Sequence, residues 1–519
     1  MEGGWLGVDL ARHRCLIIVG LLAVASAGCG ERSSQAKLSG VPTVRTVARP
    51  VYLKELQLEG YGIVAGLPGT GSPECPLRIK QYLRRYAQTQ AWGRSADIDQ
   101  LLNSYNAAVV YIEGTLPGLA QLGEQFDVKV TAVSQSTATN LEGGWLYAAE
   151  LVPKGSPIMP LRRSAIAQGH VYIDRLGQTA PDPRKGLILG GGRLQVQPSL
   201  LLVLAKDDFR TSVRLRDLLE DRFGFQTARP LSPRQISITI PRAYAYQPER
   251  FVEVLEQVPL DMPPAGYAES LVARLTSGDR QAEVALEAIG LAVVGHLTGL
   301  LRSADEQARL AAARCLRNLG NPAALPALVG IAFDSSSARR LEAIDALAAA
   351  GPSTEVVEAL RALLSSDQLA VAASAYRWLI QLSPTALPSQ KVSDYILIDQ
   401  VPTAQRPGII ALRSRQARVC LLGNIGLRSG VVLRYGNDRV VIDSRQGPGV
   451  VLVSGVDQLR KVSFGPVRCG SNLVELIWLL CSAEKGGPCL DYSDLVGLLQ
   501  AGCEQGLIAA QFWAGPISQ

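Results

Sequence analysis

The feature that most restricts the fold of this chain is a change of hydrophobic period in mid-sequence. Residues 266–385 are rich in Ala and Leu at helical spacing, with short polar breaks, whereas β-branched residues alternate in short runs on either side. A shift of 31 positions aligns Arg309 with Arg340, Ala312 with Ala343, Leu316 with Leu347 and then Trp378, Gly320 with Gly351, and Ser336 with Asp367. Helix, polar break and helix at such a period describe a stack of helical hairpins. Each hairpin leaves an apolar face open until a neighbour covers it, and roughly three or four units fit, near the minimum for a stable array.

The flanking regions read as sheet. Runs at 107–112, 125–133, 145–151 and 165–173 are separated by turn residues, and so are runs at 395–398, 418–422, 431–435, 439–443 and 450–453, with Gly436-Asn-Asp438 as a hairpin turn. Helical character is confined to 211–223, 250–255, 473–480 and 492–501 outside the repeat. With 519 residues, about three domains are expected. The fold class is therefore α+β, a β-rich body in several parts with an inserted α-helical segment. The 50 Gly and 30 Pro exclude long uninterrupted elements.

The N-terminus carries an export signal. Arg12, His13 and Arg14 precede an apolar run from Cys15 that ends in Ala25-Ser-Ala-Gly-Cys29, too short for a comfortable bilayer span. Cleavage after Ala27 would release a soluble protein; cleavage before Cys29 would leave a lipidated cysteine, and Ser26-Ala-Gly-Cys29 resembles a bacterial lipobox. Residues 1–28 are read as the leader and 29–47 as a polar tether, with Cys29 as lipidation site. Gly30 after it lacks the Asp that retains lipoproteins at the inner membrane, so the expected address is the periplasm, anchored to the outer membrane. Seven further cysteines remain in that oxidising compartment, and four of them, Cys469, Cys481, Cys489 and Cys503, favour one or two disulfides whose pairing the spacing leaves open.

Chemistry-bearing motifs are sparse. The glycines of Glu59-Gly-Tyr-Gly-Ile-Val-Ala-Gly-Leu-Pro-Gly-Thr-Gly71 are spaced like a loose nucleotide loop, but Pro68 and Gly69 break the helix such a loop needs, and no Lys precedes Ser72. Gly60, Tyr61, Gly62, Gly66, Gly69, Thr70 and Gly71 are instead candidates for turns or subunit contacts. Only three His occur, one in the leader; His170 sits in an apolar strand pattern that suits packing, and Asp207 and Asp208 precede a helix that they can cap. Neither a catalytic triad motif nor a metal-ligand motif is present, so no catalytic residue, metal site or cofactor is assigned and the chain is read as a non-enzyme. A net charge of +6 spread along the chain argues against nucleic acid.

Taken in order, the glycine-rich entry, Ala107-Ala-Val-Val-Tyr111 through Pro117, Gly123-Glu-Gln-Phe-Asp-Val-Lys-Val130, Leu141-Glu-Gly-Gly-Trp-Leu146, Ala167-Gln-Gly169, Asp207-Asp-Phe209, Ile236-Ser-Ile-Thr-Ile-Pro241 and Arg250-Phe-Val-Glu-Val-Leu255 resemble the bacterial flagellar P-ring protein family. The resemblance covers 48–265 and, more weakly, the last fifty or so residues, where the stretch from Ser493 to Phe512 carries it. The block at 266–385 is similar to HEAT repeats and stands outside the family's usual pattern, and 386–519 forms a third, β-rich region ending in helices.

The resemblance implies a structural subunit of the periplasmic ring of the flagellar basal body. Its partners would be identical copies in a closed ring, the rod turning inside it as in a bushing, the outer-membrane ring proteins and peptidoglycan, with an unidentified protein at the helical repeats. The alternative is an envelope lipoprotein scaffold that uses the same fold and the repeats to bind a protein partner. The Cys29 assignment has a direct check: labelled palmitate should enter the exported protein, and Cys29→Ser should abolish the label while leaving export intact.

Overall fold

In the computed structural model, residues 41–89, 95–156, 163–176, 181–447, 449–457, 462–482 and 487–517 are described. Cys29, the leader and the first part of the tether lie outside them. From Pro42 the chain belongs to a single contiguous unit. Val44 is fully buried and donates its N–H to Val258 O at 2.9 Å, so the stretch expected to be tether up to Val47 is already seated in the fold by Val44.

The glycine-rich entry opens the strand Glu55–Ala65, the first of six antiparallel strands that close into a barrel. The others, in order around it, are Ala107–Pro117, Gln125–Ala132, Lys185–Leu194, Ala165–His170 and Trp145–Pro153. Strict alternation explains the closure. Along Gln125–Ala132 the side chains of Phe126, Val128, Val130 and Ala132 are buried, whereas Gln125 and Lys129 are exposed. A fully buried Leu such as Leu58 or Leu146 contributes about 1.5–3 kcal/mol relative to leaving it in water. Two helices absent from the sequence reading, Leu77–Thr89 and Ser95–Leu102, cover the outside of the barrel, with Ile79, Leu83 and Ala87 packed with Ile63 and Val109.

A second, four-stranded antiparallel sheet has the order Ala48–Val51, Leu200–Leu204, Gln235–Ile238 and Ala228–Pro230. The helices Phe209–Phe223 and Pro248–Gln257 bury Leu215, Leu219, Phe251 and Leu255 in the same core as Leu202 and Ile236. Asp208 caps the first of them by accepting from the backbone N–H of Arg210 and Thr211, the structural role expected for it.

Eight helices follow between Tyr267 and Leu382: Tyr267–Thr276, Arg280–Ile289, Val294–Leu300, Glu306–Asn318, Ala324–Phe333, Arg340–Ala348, Thr354–Leu363 and Leu369–Leu382. The repeated positions do corresponding work. Ala312 and Ala343 are fully buried at helix contacts, and Gly320 and Gly351 follow helix ends with φ of 72° and 88°, the left-handed conformation that favours glycine. Arg309 donates to Ser303 O, and Arg340 to Ala332 O, so both reach back to the preceding break. The block is fused at both ends. Val284 and Ala288 share a core with the second sheet, and Tyr376 and Leu379 share one with Ile410 and Leu422 beyond the repeat.

The C-terminal region holds two sheets. A mixed one has the order Ser389–Lys391, Leu397–Val401, Arg418–Leu422, Gly408–Leu412 and Gln511–Ala514; an antiparallel meander runs through Val432–Tyr435, Val440–Asp443, Val450–Asp457 and Val462–Gly470. In the loop between the first two meander strands Gly436, Asn437 and Asp438 all have positive φ, as the turn reading requires. The helices Leu473–Cys481 and Tyr492–Glu504 pack on both sheets through Leu476, Leu480, Leu495 and Leu499. Cys469, Cys481, Cys489 and Cys503 are all free thiols, so the disulfides expected among them are not formed; Cys481 is buried in the helix core, whereas Cys489 is exposed.

Candidate functional site

Three features sit where the barrel meets the rest of the chain: the glycine-rich segment, a buried ionic seam and an aromatic cleft. The candidates Gly60, Tyr61 and Gly62 do not form a turn. They lie inside the strand Glu55–Ala65, where the alternation of Glu55–Leu58 gives way to half-buried and then buried residues and Tyr61 pairs across the ladder with Tyr111, ring centroids 5.4 Å apart. A Cβ on Gly60 would stand 2.3 Å from Glu150 O, so glycine is what lets the neighbouring strand approach.

Gly66 and Gly69 are exposed in the segment after the strand, and Gly69 has a φ of 79° with open space where a Cβ would stand. Thr70 and Gly71 form a clasp. Thr70 Oγ1 donates to Asn140 O at 2.8 Å, Gly71 N–H to Tyr105 O at 2.7 Å and Ser72 N–H to Ala107 O at 2.8 Å. With those N–H groups used internally, the segment has no cradle for phosphate.

The seam joins residues far apart in sequence. Arg175, after the strand Ala165–His170, contacts Glu142 at 2.7 Å and pairs with Asp494 on the helix Tyr492–Glu504. Arg439, from the hairpin loop, reaches Glu142 at 3.3 Å and Asp494 at 2.6 Å. Beside it Arg413 pairs with Asp174 at 3.1 Å, Ile173 N–H donates to Ser493 Oγ, and Arg415 N–H donates to Asp127 Oδ1 at 2.7 Å. Glu142 and Asp494 are buried, so removing either arginine would strand a carboxylate in low dielectric.

Three carboxyl groups, Glu142, Asp491 and Asp494, each place an oxygen within 4.8 Å of the others. Two guanidiniums already supply their counter-charge, so a cation would have to displace or coexist with Arg175 and Arg439. The arrangement works as an ion network that keeps a proton. Burial pushes Asp494 up to about 6 against the pull of Arg439 and Arg175, and burial with the neighbouring Asp494 and Glu142 drives Asp491 well above the carboxylate range. Burial also acts to raise Glu142, but Arg175 and Arg439 outweigh it and hold that carboxyl below its ordinary value.

The cleft, about 730 Å³, opens between the barrel and the mixed C-terminal sheet. His170 is half-buried there, stacked on Tyr395 with centroids 3.9 Å apart and edge-to-face with Trp145 at 4.6 Å. Burial lowers its pKa, although Asp394 pulls the other way. The packed role expected of His170 is the observed one. Sequence reasoning missed the roles of Glu142, Arg175, Arg439, Asp494 and Tyr395: Glu142 and Asp494 stand in stretches quoted for the family resemblance, but nothing local pairs them, and the nearest signal is the apolar stretch around Tyr492–Glu504, broken by an Asp on what becomes its buried face.

Residues 43–268 match the family model described as flagellar P-ring protein, and residues 295–380 match HEAT repeats. Among curated relatives, flagellar P-ring protein 1 of Bradyrhizobium diazoefficiens is 27% identical over 239 residues, 43% of this chain and 61% of the relative. The flagellar P-ring protein of Rhodopseudomonas palustris is 27% identical over 242 residues, 43% of this chain and 63% of the relative, and that of Sodalis glossinidius is 26% identical over 270 residues, 49% and 70%. The chain thus spans about three fifths of the length of the first two. The matched ranges lie within the barrel and second sheet and within the helical block, while the last fifty residues fall outside both.

Two outcomes follow from this geometry. Gly60→Val should lower unfolding free energy by about 1–3 kcal/mol or more through overpacking, whereas Gly69→Asn, which tolerates positive φ, should stay within about 1 kcal/mol in the same urea titration. Arg439→Ala should cost about 3–5 kcal/mol, and more at pH 8 than at pH 5. The raised pKa of Asp494 means the folded state holds a proton that the unfolded chain releases. Stability from that group is complete below the ordinary Asp range and fades as pH rises through about 6, so the uncompensated variant suffers most when the carboxylates are ionised. A larger loss at pH 5 would overturn the charge-compensation role. Residues 43–268 are thus similar to the flagellar P-ring family, and the chain joins them to a segment similar to HEAT repeats.

Proposed function

We propose that this protein is a structural, non-enzymatic subunit of the periplasmic ring of the flagellar basal body, assembled from identical copies around the rod and acting as its bushing. The observation that carries the reading is the match of residues 43–268 to the flagellar P-ring family, which falls on a closed barrel and a four-stranded sheet tied to it through Leu119, packed in the second core. A barrel without open edges and a buried ionic seam suit a part that must stay rigid while something turns inside it. In this proposal the subunits meet head to tail, the exposed turn at Gly66 and Gly69 lies at a subunit contact or at the bore, and Cys29 tethers the subunit to the outer membrane.

The helical block is best read as a spacer that widens the subunit. Its two ends share cores with the sheets on either side, so it is held as part of the body and not as a separate arm. This favours the ring reading over an envelope scaffold that recruits a partner through the repeats.

A deletion strain tests the reading. Loss of motility, with basal bodies that lack the periplasmic ring, and rescue by the wild-type chain are expected; normal motility and complete basal bodies would overturn it. In the rescued strain Gly69→Asn should yield folded subunit with reduced ring yield, and normal rings would remove the Gly66–Gly69 turn from the contact.

A further inference from the structure

The cleft between the barrel and the mixed C-terminal sheet has the makings of a ligand site that ring assembly does not use. One wall is barrel: Trp145 at the start of its strand and His170 at the end of the next, paired across the ladder. The other wall comes from beyond the helical block, with Tyr395 and Gln416. The three rings form a continuous aromatic surface, Trp145 against His170 and His170 against Tyr395, and Trp145 remains 40% exposed. A soluble protein seldom leaves an indole open in a concave site at a junction of two bodies unless something flat covers it.

The polar lining restricts what that something is. Gln125, Gln416 and Thr385 offer neutral amide and hydroxyl groups, the Ser389 hydroxyl is spent on Asp399 and Arg418, and Arg415 at the rim already leans on Glu124 at 3.6 Å. Among the described residues no carboxylate lines the cleft, which disfavours a cationic ligand. Arg418 is spent within the protein, with its guanidinium on Asp399 at 2.9 Å, and so serves as a fixed wall. A flat apolar platform bordered by amides and hydroxyls matches a pyranose ring, which has an apolar C–H face and an equatorial rim of hydroxyl or acetamido groups. Planar nucleobases would use the same rings, but the phosphates of a nucleotide would need cations, and Arg415 and Arg418 are already paired with Glu124 and Asp399.

We propose that this cleft binds a pyranose oligosaccharide, one sugar face stacked on Trp145 and its rim hydrogen-bonded to Gln125 and Gln416. The site is composite. Its aromatic surface is completed by Tyr395, a residue outside the P-ring family match, so the C-terminal region converts a barrel surface into a binding cleft. The inference stands apart from the ring reading, because it concerns the isolated subunit and fails or holds whatever that subunit assembles into.

The test is calorimetric titration of the purified protein with tetra-N-acetylchitotetraose and, separately, maltotetraose. Saturable binding of at least one is expected. Trp145→Ala should weaken it about ten-fold or more while leaving thermal unfolding unchanged, as the side chain is part-exposed, and Gln416→Ala should weaken it by a smaller factor. Absence of saturable binding by both sugars, or binding that both variants leave intact, would overturn the proposal. So would a proline-rich peptide that binds in a Trp145-dependent way when neither sugar does.

Discussion

The structure depends on a buried charge balance. Two arginines, Arg175 and Arg439, hold Glu142 and Asp494 at the junction of the barrel and the C-terminal region, with Asp491 close by. Such a network is a poor source of net stability, because desolvating each ion costs several kcal/mol. Its effect is specificity. Only one seating of the helix Tyr492–Glu504 against the barrel brings all five groups together, and any other leaves a buried charge without a partner. The proton retained by the carboxyl groups is the remainder of that balance, since the carboxylates outnumber the guanidiniums facing them.

That junction explains how a chain with three textures behaves as one body. The barrel closes on its own hydrogen bonds and has no edge to offer, so its link to later elements is made by side chains and short loops. The helical block is attached by apolar packing at both ends, where Val284 meets the second sheet and Tyr376 meets the C-terminal one, and at the first weld Arg250 also pairs with the buried Glu283 and Glu287. At the second weld a further buried pair, Arg418 with Asp399, accepts the Tyr376 hydroxyl at 2.5 Å on the carboxylate. Polar pairs thus mark the joints, and apolar cores fill the bodies between them.

Much of the fold was legible from local pattern. Alternation in 125–132 and the 31-residue register of Arg309, Ala312 and Gly320 named barrel strands and repeat helices because each is a local rule, obeyed residue by residue. The helix Leu77–Thr89 escaped because its charged and aromatic composition hides a narrow stripe, Ile79, Leu83, Tyr86 and Ala87, spaced four, three and one apart. Gly60 and Gly62 thin a strand where Glu150 comes close, and the neighbouring strand that makes glycine necessary there is not visible in local composition. The expected disulfides failed on a global condition: four cysteines near in sequence end on a strand, two helices and a loop, and nearness along the chain does not bring sulfur atoms together.

By itself, then, the sequence determined the order of textures, the resemblance over 48–265 and the helical hairpins, since periodicity and turn chemistry act over a few residues. The tertiary structure alone decided that Glu142 meets Asp494 and Arg439, and that Trp145 and His170 meet Tyr395. Those encounters join residues hundreds of positions apart. They arise when apolar burial brings two surfaces together, and electrostatics and ring packing then select the one register in which the surfaces fit.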